Sequence, residues 1–155
     1  MNITQRTATL GDAAVLLTWR NNPSTRMFSK NSEQILSDQH FEWFRARLER
    51  AQFEPFFLHE EGFKAIGMSR FDIVPETANK FEISILVDPD AQGKGLGKKI
   101  LDTACATLFG LYPDHTIVAS VHKQNLVSQK LFAGAGFELL PFVGNFLKFE
   151  KKSLD

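Results

Sequence analysis

Cysteine is almost missing from this chain: Cys105 is the only one in 155 residues, so no intrachain disulfide can form. Tyrosine is as scarce, with Tyr112 alone against fifteen phenylalanines, which leaves one phenolic hydroxyl for any chemistry. Excess charge of either sign is missing too. Eighteen Lys and Arg balance eighteen Asp and Glu, which argues against a nucleic-acid binder working through a broad basic surface while leaving room for a local basic site; no nucleic-acid partner is expected. No apolar run approaches the roughly 18 residues of a membrane-crossing helix, and the opening MNITQRTATLGD lacks the apolar core of a secretion signal. A cytoplasmic location without a membrane partner is therefore expected. His40, His59, His115 and His122 show no metal spacing such as H-E-x-x-H, and there is no G-x-S-x-G elbow. No metal is expected. No repeat, low-complexity tract or linker divides the chain, so residues 1–155 read as a single domain large enough to bury a core.

What the chain does have is one highly organised stretch, Phe81 to Leu108. Phe81, Ile83, Ile85 and Val87 alternate as in a strand, and Asp88-Pro89-Asp90 stops it because proline offers no ladder N–H. Ile100, Leu101, Ala104, Cys105 and Leu108 then recur at helical spacing. Gly93, Gly95 and Gly97 thus fall where a helix begins. A helix N-terminus offers unpaired N–H groups and the positive end of its dipole, and glycines let backbone approach a phosphate closely. Lys94, Lys98 and Lys99 add charge. The dinucleotide fingerprint G-x-G-x-x-G fails by one residue, and the P-loop fails because Lys99 follows Gly97-Lys98.

The remaining pattern, Val87-Asp88-Pro89 followed by Gln92-Gly93-Lys94-Gly95-Leu96-Gly97, resembles the Q/R-x-x-G-x-G/A pyrophosphate loop of the GNAT superfamily of N-acetyltransferases, which bind acetyl-coenzyme A. A second motif agrees with it. The superfamily's last helix carries N-x-x-[AS]-x-x-[LF]-[YF]-x-x-x-G-F, matched here by Asn125, Ser128, Leu131, Phe132, Gly136 and Phe137. The resemblance covers residues 64 to 150 by motif and the N-terminal third by element order.

Taken in order, the chain predicts a strand at Ile3 to Ala8, a capping box at Thr9-Leu10-Gly11-Asp12 and a helix from Ala13 to Arg20. A polar irregular segment, Ser24 to Gln34, precedes a helix capped by Ser37 with Phe41, Phe44 and Leu48 on its apolar face. Strands follow at Phe53 to His59 and Lys64 to Ile73, meandering into the central strand. After the central helix come a strand at His115 to Val121, a helix at Ser128 to Ala135, and strands at Phe137 to Leu140 and Phe146 to Glu150. The fold class is a mixed α/β sheet, β-α-α-β-β-β-α-β-α-β-β, which is the GNAT acyltransferase layout with splayed central strands.

The resemblance implies a role for each matching position. Leu86 and Val87 would bond the pantetheine amides; Gln92, Gly93, Lys94, Gly95, Leu96, Gly97 and Lys98 would hold the pyrophosphate; Asn125, Ser128 and Phe132 would face the cofactor from the last helix. Asn125 reads equally as the cap of that helix. The implied reaction is direct attack of an amine on the acetyl thioester, with a base to deprotonate the amine and backbone N–H groups to polarise the carbonyl. Glu82, a carboxylate in an apolar strand, is the base candidate, and it reads alternatively as a solvent-facing partner of Phe81 and Ile83. His40 and His122 compete with it. Phe132 departs from the tyrosine of many relatives and cannot protonate the thiolate. Cys105 lies on an apolar helix face with no nearby histidine and reads as packing rather than an acyl carrier.

For the acceptor, Trp19-Arg20-Asn21, then Arg26, His40 and Trp43-Phe44, resemble acetyltransferases of nucleotide-linked 4-amino sugars; similar W-R-N segments occur in ribosomal-protein Nα-acetyltransferases. Arg20, Asn21, Arg26 and His40 are the substrate candidates, with Arg20 or Arg26 on a diphosphate. Core positions for both tryptophans and a surface position for Arg26 are the plainer alternatives. Three functions follow: acetylation of a nucleotide-linked amino sugar, acetylation of a protein N-terminus or another amine, and cofactor binding without catalysis. A homodimer is compatible with all three.

Overall fold

The computed structural model describes residues 2–153. Seven strands form one sheet in the order β1-β2-β3-β4-β5-β7-β6: β1 (Ile3–Thr7), β2 (Phe56–Glu61), β3 (Lys64–Ile73), β4 (Lys80–Val87), β5 (Thr116–His122), β6 (Glu138–Leu140) and β7 (Phe146–Lys152). The helices are α1 (Ala13–Asn21), the single turn α2 (Pro23–Arg26), α3 (Ser37–Leu48), α4 (Leu96–Leu111) and α5 (Leu126–Gly134). The first four strands are antiparallel neighbours, as a meander requires, and β4 meets β5 in parallel.

Alternation on the strands sorts the side chains onto two faces. One face of the sheet packs on α4 and α5, where Phe71, Phe81, Ile83 and Ile117 meet Leu101, Leu108 and Phe132. The other packs on α1 and α3, where Phe56, Leu58 and Met68 meet Leu16, Trp19 and Phe44. Trp19 is thus a core residue. The loop before α1 is fixed by charge: the Thr9 N–H donates to the Asp12 carboxylate at 2.8 Å, and Arg6 grips the same carboxylate with two nitrogens at 2.8 and 2.9 Å.

The sequence misjudges α3. Phe41 is on the exposed side, and the buried face runs His40, Phe44, Arg47. Polar groups can occupy it because each is partnered. The His40 ring stacks on Phe44 and its Nε2 donates to the Ala13 carbonyl at 2.9 Å. Arg47 donates to the carbonyls of Glu54 and Phe71 and to Asp72. Leu36, not Ser37, is the residue before the first helical one. Phe53 is exposed in a run of turns, so β2 begins at Phe56.

Candidate active site

The parallel pairing of β4 with β5 covers only Lys80–Thr116, Phe81–Ile117 and Glu82–Val118. Beyond Glu82 the strands part. The antiparallel register with β3 then decides which backbone groups face the gap. Asp88 N–H donates to the Ile66 carbonyl at 2.8 Å and Val74 N–H to the Lys80 carbonyl at 3.0 Å, on the same register that pairs Met68 with Leu86. Even-numbered β4 residues therefore exchange bonds with β3, and Ile83, Ile85 and Val87 turn theirs toward the gap. The free edge belongs to Ile85 and Val87. Leu86 directs its backbone to Met68 and its side chain to the other face of the sheet, against Leu16, Met68 and Trp43 around a cavity.

At the open end of the gap the chain turns through Gln92–Gly95 into α4. Gly93 and Gly95 have φ of 82° and 73°, the left-handed region that L side chains avoid. The turn is exposed, so the first N–H groups of α4 face outward with Lys94 beside them. A Cβ at Gly97 would come into ordinary contact with Leu131 and Val87, so α4 starts close to α5 and the end of β4. Lys98 is tied to Asp102 at 2.6 Å, so its backbone rather than its ammonium is available to an anion. These groups suit a coenzyme: a free strand edge for amides, a helix start and a lysine for phosphates.

Across the gap, Asn125 caps α5, its Oδ1 accepting from Ser128 N–H at 3.1 Å. The cap is the use visible for both residues. Phe132 is buried in the core, its ring against Phe137 and Phe149. Tyr112 packs on Phe81 and His115, at the closed end of the strands.

Glu82 stands where the strands part. Its Oε2 accepts from Ser120 Oγ at 2.9 Å across the split, and Lys148 Nζ donates to the same Ser120 oxygen at 2.6 Å. Lys30, from the segment after α2, reaches within 3.9 Å of Glu82 and lies over the Phe146 ring. His122 accepts from Gln124 N–H at Nδ1 and is covered by Phe28 and Phe146. Ser120 was not legible as a site residue; only its place on the polar side of the Ile117, Ala119, Val121 alternation hints at it.

On the α1/α3 side of β4 lies a cavity of about 360 Å³. Its apolar wall is Leu16, Trp43, Phe56, Met68 and Leu86; Arg20, Gln39, His40 and Arg70 supply the polar groups. Burial pushes His40 below the ordinary histidine range, so at neutral pH it is an uncharged ring donating from Nε2. Asn21 is not in this wall. Its amide is spent in both directions on the Ile35 backbone, at 2.8 Å each, which staples the segment leading to α3. Arg70, missed in the sequence, sits on β3 across from Ser84, on the face shared by Met68 and Asp72. Its signal was a charge at every second residue of a strand otherwise apolar there. Cys105 is buried and its thiol is pushed up to about 12, which removes it as a nucleophile.

Known proteins agree with this geometry. The family model described as the Acetyltransferase (GNAT) family matches residues 15–137. A curated Escherichia coli relative, L-amino acid N-acyltransferase MnaT, is 33% identical over 126 residues, spanning 74% of this chain and 68% of that protein. Among solved structures, yncA of Salmonella typhimurium with acetyl-CoA superposes with a TM-score of 0.79 at 23% identity, covering 100% of this chain and 96% of that one. A spermidine N-acetyltransferase of Vibrio cholerae with coenzyme A and spermine gives 0.83 at 19% identity, covering 96% and 94%. A split sheet, a glycine turn at a helix start and a family match over most of the chain converge: the protein belongs to the GNAT family of acetyltransferases, enzymes that draw their acetyl group from acetyl-CoA.

Proposed function

We propose that this protein transfers acetyl from acetyl-CoA to the primary amine of a small molecule bound in the cavity beside β4. The observation that carries this is the adjacency of two spaces: the gap with the free Ile85 and Val87 edge on one side, and the cavity walled by Leu86 on the other. At about 360 Å³ the cavity lies at the small end of ligand pockets, which favours a small acceptor over a polypeptide end.

Acetyl-CoA supplies its acetyl group as a thioester: the acceptor nitrogen forms the new N–C bond, the C–S bond breaks, and the amine loses a proton. Glu82 takes that proton. Ser120 holds its carboxylate at the mouth of the gap, and Lys148 behind Ser120 leads to solvent. The turn at Gln92–Gly95, with the first turn of α4, holds the diphosphate, while Ile85 and Val87 offer N–H groups to the arm and the carbonyl. With Phe132 in the core and lacking a hydroxyl, the departing thiolate draws its proton from water; thiol pKa values near ~8.5 make it a tolerable leaving group.

The name of the curated relative, an L-amino acid N-acyltransferase, supports an acceptor of amino-acid size. A nucleotide-linked 4-amino sugar is the second reading, favoured by Arg20 in the cavity wall and Arg26 near it, which carry N–H groups without a partner among the described residues. Coenzyme A release from acetyl-CoA against a panel of amines tests both: amino acids, UDP-linked 4-amino sugars, peptides with free N-termini, spermidine and aminoglycosides. Turnover of amino acids or nucleotide sugars supports a small acceptor. Turnover of peptides alone, or of nothing, overturns it.

A further inference from the structure

Two guanidinium groups lining this cavity, Arg20 and Arg70, and a third near Arg20, Arg26, carry N–H groups that none of the described residues uses. Arg20 Nη1, Arg26 Nε and Arg70 Nε are buried and without a hydrogen-bond partner among the described residues. Burial pushes Arg20 and Arg70 below the ordinary arginine value; Arg26 adds to the effect on Arg20, and Arg20 to that on Arg70. Charged donors that no protein group satisfies, facing a cavity, are free to meet an anion that arrives from outside.

Arg70 is also aimed. Its Nη1 donates to Asp72 Oδ2 at 2.8 Å and its guanidinium lies 5.0 Å from the centre of the Trp43 ring. Asp72 turns its other oxygen to Arg47 at 2.9 Å, and Arg47 is itself locked onto the carbonyls of Glu54 and Phe71. One carboxylate thus serves two arginines, which leaves positive charge over, and a rigid support holds the free Nε edge in place.

We infer that this is a carboxylate subsite and that the acceptor is an α-amino acid with an apolar side chain. The carboxylate lies on Arg70 and Arg20, and the side chain lies among Leu16, Trp43, Phe56, Met68 and Leu86. The inference rests on the acetyltransferase reading above. Distance separates it from a nucleotide-linked sugar. Arg70 is directly opposite Ser84 in the register, one strand away at ~4.8 Å, and Glu82 is the next residue on that face of β4. In an α-amino acid the nitrogen is attached to the carbon that bears the carboxylate, so an anion on Arg70 leaves the amine over β4 beside Glu82. In a 4-amino sugar a pyranose ring intervenes between amine and diphosphate. The cavity wall, apart from the two arginines, offers no charge for a second phosphate.

Paired acceptors that differ only in the carboxylate test this: L-phenylalanine with 2-phenylethylamine, and L-leucine with 3-methylbutylamine, alongside L-glutamate and a UDP-linked 4-amino sugar. Wild-type kcat/KM is expected to favour each amino acid over its amine by about 10-fold or more, the worth of a charged hydrogen bond, and both apolar amino acids over glutamate. Arg70→Gln and Arg20→Gln each shrink that ratio, mainly through KM. Arg70→Lys fails to restore it, because an ammonium lacks the planar fork. Calorimetric binding of L-phenylalanine to the protein with coenzyme A weakens in the same variants. A wild-type ratio near one, a ratio unmoved by both glutamine variants, or preference for the nucleotide sugar overturns the subsite. Absence of turnover with every amine overturns the acetyltransferase reading instead, and the calorimetry then still decides whether the arginines hold a carboxylate.

Discussion

Lowering the pH from 7 to 5 should destabilise this protein through His59. The ring, on β2, is wholly buried, its Nε2 2.8 Å from Ser69 Oγ on β3 and its Nδ1 without a partner among the described residues. Burial alone pushes it from 6.5 down to about 4. Below pH 6.5 the unfolded chain binds a proton that the folded one refuses until about pH 4, so stability falls as pH falls. Each pH unit inside that window costs about 1.4 kcal/mol, which gives about 2 kcal/mol lost at pH 5 and about 3 kcal/mol below pH 4. His40, lowered by its own burial, acts in the same direction. Asp12 and Glu54 are held below ordinary values of 3.8 and 4.5, so their losses fall at lower pH. Urea unfolding at pH 7, 6 and 5, at constant ionic strength, reads the slope. The double variant His59→Leu, Ser69→Ala replaces the polar pair by apolar groups and should flatten it by about 2 kcal/mol over that range. A variant as steep as the wild type would refute the burial argument.

Glu82→Gln should lower kcat at neutral pH by about 100-fold or more while acetyl-CoA affinity measured by calorimetry stays within about twofold; unchanged kcat removes Glu82 from the reaction. Gly67→Ala should lower stability by about 1–3 kcal/mol, read as a fall in Tm, because its Cβ would stand 2.6 Å from Ile100 Cδ1 and 2.7 Å from the Leu86 carbonyl oxygen. The second contact is backbone and cannot swing aside. Cys105→Ala should keep turnover, and the native thiol should resist an aromatic disulfide reagent until denaturant is added; rapid labelling of the folded protein would contradict its burial.

The order of elements was legible because hydrophobic period and turn residues are local. Phe81, Ile83 and Val87 alternate whatever surrounds them, Asp88-Pro89 ends a strand by its own covalent geometry, and Gly93 and Gly95 announce positive φ that the structure uses. The cofactor side of the site follows from the same local signals, since a helix start and its glycine turn lie within one stretch of chain. The acceptor side does not. Arg70 is on β3, Arg20 on α1 and Trp43 on α3, and no spacing in the chain reports that they share a cavity.

Misreadings had the same source. Phe41 looked like core by hydrophobicity, yet His40 and Arg47 are inside because Ala13, Glu54, Phe71 and Asp72 offer them acceptors from other elements. Asn21 looked free for a ligand, and Ile35 takes both ends of its amide. Leu86 looked like a cofactor contact, and the register with β3 turns its backbone to Met68 and its side chain to the cavity beside α1 and α3. By itself the sequence determined the main strands and helices, their order and the glycine turn at the start of α4, since neighbours in the chain suffice for these. Tertiary structure alone decided which charges are left unpaired and where they point, because a polar group's fate depends on partners that distant parts of the chain do or do not supply.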